Sequence, residues 1–243
     1  MLPRNAKLYI TLVIASGLAL LLFAAGAWSS TNLLQFSIYL GLAVLASALK
    51  VRIPGHESTM SPNFVFLLLG IVALPFSQVV AISVAAALIQ TIWASSKRVR
   101  LVQVAFNAAA LVLTSGIAYA FSHLYGGTSG EFVVVRLILA GSIYFPVNSA
   151  LVSVVIGLAE GRPIKQVCQR CYEWEFPYFM GGIAFAGLIS GAYVPSMLWK
   201  GALLLFPAAI LAYLYFHTRS HRPVAAAMPV PASEEEYSVE VHS

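Results

Sequence analysis

The only two thiols in the chain stand as Cys168-Gln-Arg-Cys171, a C-x-x-C pair. Within a βαβ unit this spacing points to thiol redox chemistry, and beside a second pair it points to zinc. The sequence supplies neither context, so no metal is assigned and the pair is read as two interfacial thiols. His56-Glu57 is a second candidate for acid–base or metal work. Adjacent residues do not face one another on a helix, and the surrounding Val51–Met60 (VRIPGHESTM) reads as a polar loop broken by Pro54 and Gly55. HExxH, GxSxG, P-loop and GxGxxG patterns are absent from the sequence. The expectation is a chain that is not an enzyme and carries no cofactor.

The chemistry that remains is that of polar side chains inside apolar runs: Gln90, Gln103, Asn107, Arg136, Tyr144, Asn148 and Glu160. Polar groups in hydrocarbon are costly and need a partner or a function. One reading has Asn107, Tyr144, Asn148, Arg136 and Gln103 line a cavity for a small polar or anionic ligand. The other has the amides bond across helices, as polar side chains do in membrane bundles. Glu160, just before Gly161-Arg162, is expected to pair locally.

The elements that must hold these residues are apolar helices. Of 243 residues 60% are hydrophobic and only 9% are charged, against roughly 25% charged in soluble domains. The fold class that follows is all-α, a polytopic transmembrane bundle. The formal charge of +5 does not mark a nucleic-acid protein, because the cations sit singly between apolar spans and form no continuous basic face.

The stretch Phe76–Leu124 sets the topology. Two apolar arms, Phe76–Trp93 and Leu101–Leu124, flank the link Ala94–Arg100, which holds Lys97, Arg98 and Arg100. Each arm approaches the ~20 residues that cross a bilayer, and short Lys/Arg-rich loops stay in the cytoplasm. Further apolar runs are Leu8–Trp28, Leu33–Leu49, Asn63–Leu74, Val133–Glu160, Pro177–Val194 and Met197–Phe216. Ser61-Pro62 has the form of a helix start, with Ser as N-cap and Pro at the first helical position. Pro75 divides residues 61–93 into two full spans or one shallow hairpin, and Pro146 is expected to interrupt the Val133–Glu160 run.

Twelve of the fourteen Lys/Arg fall in the N-terminus, the loops near residues 50, 97 and 165, or the C-terminal tail. All these regions are cytoplasmic in a bundle of six to eight spans with both termini inside. The domain division is a transmembrane helical part, residues 1–216, and a disordered cytoplasmic tail, residues 217–243, too poor in apolar residues to fold alone. A short echo between Phe106-Asn107-Ala-Ala-Ala-Leu111-Val112 and Val147-Asn148-Ser-Ala-Leu151-Val152 suggests an inverted repeat of the transporter kind. Gly182, Ala186 and Ser190 form a small-residue stripe suited to close helix contact within the chain.

Three segments taken together resemble a known type of module. They are Ser61–Ile92 with its basic link, Gln103-Val-Ala-Phe106-Asn107, and Tyr144-Phe-Pro-Val-Asn148 followed by Glu160-Gly161-Arg162-Pro163. The likeness is to the multi-spanning N-terminal membrane sensor modules upstream of HD-GYP, GGDEF or histidine-kinase output domains in bacteria. It covers roughly residues 35–216 and implies a multi-pass protein of the bacterial inner membrane. Those modules pass a signal to an output domain, and no output domain is read here after residue 216. The expected function is therefore a non-catalytic sensory or ligand-binding module in the lipid bilayer, acting through a cytoplasmic or membrane protein partner. The alternative is a small-solute transporter or the substrate-binding subunit of one.

Overall fold

In a bilayer every backbone N–H and C=O must be satisfied within the segment or by a neighbour, so long apolar runs become helices. The computed structural model describes residues 2–49, 51–52, 59–60, 62–93, 99–125 and 133–191. Its helices are α1 (Arg4–Gly26), α2 (Leu33–Ala48), α3 (Asn63–Ala73), α4 (Phe76–Ile92), α5 (Leu101–Tyr125), α6 (Val133–Glu160) and α7 (Ile164–Gly191). Between α2 and α3 two short strands, β1 (Val51–Arg52) and β2 (Thr59–Met60), pair antiparallel with Val51 opposite Met60. The architecture is otherwise helical among the described residues. His56, Glu57, Lys97, Arg98, the Met197–Phe216 run and the 217–243 tail lie outside them.

Helix ends follow their local residues. The Pro75 carbonyl accepts from the Gln78 and Val79 amides and opens α4 directly after α3 closes. The helix start expected at Ser61-Pro62 is shifted: α3 begins at Asn63, with Pro62 as the flanking residue whose carbonyl accepts from Val65. At the end of α6, Gly161 takes φ +66° and the Arg162 amide reaches back to the Gly157 carbonyl at 3.1 Å. This is the left-handed glycine stop of a Schellman motif. Pro163 then starts α7, accepting from Gln166 and Val167. The Glu160-Gly161-Arg162-Pro163 run is thus a helix-to-helix turn, and Glu160 pairs locally with Arg162 at 3.1 Å.

Two expectations are corrected here. Val133–Glu160 is not interrupted at Pro146: α6 continues through it, and Pro146 lies on an exposed face. The proline ring has no N–H to donate to the preceding turn. The segment before Pro177 is not a loop, since α7 already begins at Ile164. Lys, Gln, Arg and Glu are good helix formers whatever their hydropathy.

The helices pack as a chain of neighbours, α1 on α5, α4 on α5, α5 on α6 and α6 on α7, with α2 laid against α3 and α4. Tyr9 of α1 packs on Phe106 of α5 and bonds the Leu151 carbonyl of α6, so α5 and α6 run antiparallel. The centre is α3. Eight of its eleven residues are buried, and it touches α2, α4, α5, α6 and α7. At about 1.5 Å per residue it is some 17 Å long, too short to cross a bilayer of ~30 Å alone. Most of its surface is buried against the other helices.

Leu67, Leu68 and Ile71 are fully buried there, beside Ile82 of α4 and Leu137 and Tyr144 of α6. Gly182 of α7 lies so close to the Phe64 ring that a Cβ would collide with it, which places the Gly182–Ala186 stripe inside the fold. Among the described residues three helices, α1, α5 and α6, are long and apolar enough to cross a membrane. Shorter apolar helices are α2, α3, α4 and the 179–189 part of α7.

Candidate functional site

Asn107 is half-buried on α5 and its Nδ2 donates to Thr91 Oγ1 on α4 at 3.0 Å. The neighbouring Gln90 accepts from Asn63 Nδ2 at 3.1 Å. The last turn of α4 therefore holds α3 on one side and α5 on the other through two adjacent amide bonds. Such bonds resist separation because no water replaces them in hydrocarbon.

Tyr144 is 1% exposed on α6, with its ring 5.9 Å from Phe179. Asn148 is half-buried one turn further along. Because Tyr9 touches both Phe106 and Leu151, Asn107 and Asn148 lie at similar depth, with Tyr144 next above them. The structure brings these three to one half of the bundle. Gln103 is exposed, one turn nearer the start of α5. Arg136 stands apart: it is twelve residues before Asn148 in α6, about 18 Å along the axis.

At the opposite end of the bundle the structure builds polar sites that the sequence did not single out. Gln78, fully buried in the first turn of α4, donates through Nε2 to the carbonyls of Ser29 and Thr31. The Ser29 amide donates to Ser77 Oγ at 3.2 Å. The turn between α1 and α2 is thereby clamped onto α4. Nearby, His123 stacks on Tyr119 with ring centroids 3.9 Å apart, and its Nδ1 lies 3.0 Å from the Tyr119 carbonyl. The i,i+4 spacing of Tyr119 and His123 was a legible signal for that stack. The reach of Gln78 to a turn 47 and 49 residues away had none.

Between these ends the interior is sparsely polar. Ser83 Oγ lies 2.9 Å from Ser115 Oγ, joining α4 and α5. Among the described residues, Gln78 Oε1, Thr114 Oγ1 and Ser153 Oγ are buried without a hydrogen-bond partner. Leu42, Leu45, Leu49, Val65, Phe66 and Phe185 line an open cleft of about 320 Å³ whose walls are almost wholly apolar. No group of three metal-ligating side chains occurs among the described residues. Cys168 is a half-buried free thiol.

A family model, MASE9, matches residues 10–188, from within α1 to within α7. No curated protein and no solved structure matches the chain. With most of its length matched, the chain belongs to the MASE9 family, a membrane-associated sensor family.

Proposed function

We propose that this MASE9 chain is a non-catalytic, multi-pass sensory module of the bacterial inner membrane, acting through a protein partner. The observation that carries this is the family match over residues 10–188, which takes in the helices around α3. In this proposal six to eight spans cross the bilayer and both termini are cytoplasmic. Support for the orientation comes from the cations. Arg4, Lys7, Arg100, Arg162 and Lys165 gather at one end of the bundle and Arg136 stands at the other, the distribution expected of a cytoplasmic and an external face.

Asn107, Tyr144 and Asn148 are the proposed ligand contacts, in the half of the bundle nearest the cytoplasmic turns. A ligand competing for the Asn107–Thr91 bond would loosen α5 from α4 next to the basic link. A change in helix position there is what a cytoplasmic partner can read, since a ligand shifts an equilibrium only through different contacts in its two states.

Reconstitution into proteoliposomes tests this. A sensory module is stabilised by its ligand without moving solute, so the expected result is a ligand-dependent rise in Tm and no flux. Gradient-coupled flux of the same solute would overturn it.

A further inference from the structure

We propose that residues 197–216 dock in the apolar cleft between α2 and α7, packing as a helix antiparallel to α7. The run itself lies outside the described residues; the cleft and the end of α7 lie within them. A seat for this run needs neither ligand nor partner, and so goes beyond the sensory reading.

The cleft has three walls. Leu42, Leu45 and Leu49 recur every three or four residues and form one stripe of α2. Val65 and Phe66 of α3 make the floor, and Phe185 of α7 the far side. Among the described residues α2 and α7 do not touch each other, although both pack on α3. A groove between two helices that share a third as floor has the shape another helix fills, its side-chain ridges set into the grooves of its neighbours. Leu45, Leu49 and Phe185 are 66%, 63% and 52% exposed. An occupant must therefore present an apolar face.

The chain supplies such an occupant close at hand. α7 ends at Gly191, six residues beyond Phe185, or about 9 Å along the axis. Only residues 192–196 separate that end from the run, and five residues reach at most about 18 Å. The run has the ~20 residues that cross a bilayer as a helix. Trp199 stands near its start and Tyr213 and Tyr215 near its end, as interfacial aromatics do, and residues 201–211 between them carry no polar side chain.

A helix that turns back over so short a connection packs antiparallel beside the one before it. Two sides of α7 are already taken by α6 and α3. Phe185 and Ile189, one turn apart, mark an exposed side, and Phe185 looks into the cleft. Antiparallel packing then brings Leu203-Leu204-Leu205-Phe206 about level with Phe185. A lipid acyl chain and a second copy of this protein are the competing occupants. Neither is tethered to the wall of the cleft as the run is.

Disulfide mapping in nanodiscs tests the seat. In the full chain carrying Cys168→Ser and Cys171→Ser, Leu45→Cys is combined with replacement of each of residues 200–207 in turn by cysteine. Mild oxidation should close a bridge within one chain at about two of these positions, three or four residues apart. A disulfide needs Cβ atoms about 4 Å apart, and a helix returns to one face at that interval. Leu18→Cys is the control: Leu18 is 52% exposed on α1, which touches none of the cleft's helices among the described residues, and it should bridge at none of them. Should Leu45→Cys fail to fold, Leu49→Cys on the same stripe carries the same expectation.

Bridges formed only between two chains would overturn the proposal and assign the cleft to a second copy. No bridge from either anchor would also overturn it, and labelling of Phe66 by a photoactivatable phosphatidylcholine would then assign the cleft to an acyl chain. Bridges at all the positions alike would show a run that is not seated as a helix. The readout uses purified protein with no ligand, partner or flux, so its failure leaves the sensory proposal untouched.

Discussion

Asn107 Nδ2 donates to Thr91 Oγ1 across 3.0 Å, and that bond ties α5 to the last turn of α4. Its worth is that of an interhelical bond in a membrane bundle, about 0.6–2 kcal/mol. Asn107→Ala should destabilise the protein by that amount, because Thr91 can fall back on its own helix while the packing is lost. Unfolding in mixed micelles measures it. Combined with Asn148→Ala, the substitution should also abolish ligand-induced stabilisation; a response left intact by the double variant would remove these residues from the ligand contacts.

Gln78 is the stricter case. Its side chain is fully buried and holds two carbonyls of the α1–α2 turn. Gln78→Leu removes both bonds, and because Ser29 is half-buried and Thr31 exposed, the cost is that of ordinary hydrogen bonds, about 0.5–1.5 kcal/mol each. The expected signs are a lower Tm and faster protease cleavage between residues 27 and 32. An unchanged cleavage rate would show that the clamp does not hold the turn.

The contact between Gly182 and Phe64 predicts a compensating pair. Gly182→Ala should cost about 1–3 kcal/mol by overpacking, since the new methyl meets the Phe64 ring. Phe64→Leu should recover part of that loss. A double-mutant cycle reads the coupling, which simple additivity would disprove.

Gly161 occupies the left-handed region at φ +66°, with nothing near enough to obstruct a side chain. Gly161→Ala should therefore cost only the backbone term, about 1–2 kcal/mol. Gly161→Asn should cost less, because Asn tolerates that conformation. Comparing the two Tm values checks that the loss comes from the turn and not from crowding.

The helices were legible in the sequence because hydropathy and proline positions mark them. The run Val133–Glu160 became α6 with the same bounds, and Pro75 separates α3 from α4. The start of α7 was not legible by the same means. Ile164–Glu175 carries Lys165, Arg170, Glu173 and Glu175, which hydropathy reads as a loop although these residues favour helix. The central place of α3 was also hidden, since an eleven-residue apolar run looks alike whether lipid or protein surrounds it. Among polar residues, Asn107 and Asn148 were visible as amides in apolar runs. Gln78 was not, because a polar side chain in the first turn after a proline reads as a solvent-facing helix end. Its meaning lies in carbonyls far away in the sequence.

The proposal that this MASE9 chain works as a sensory module is tested most directly by affinity capture of the full-length protein. The protein is extracted in mild detergent beside the same chain lacking residues 217–243, and bound proteins and small molecules are both read by mass spectrometry. A sensory module should retain one cytoplasmic partner with the intact chain and lose it with the shortened one, while both forms unfold at the same Tm. A tightly held small molecule, no protein partner in either form, and flux of that molecule in proteoliposomes would contradict it.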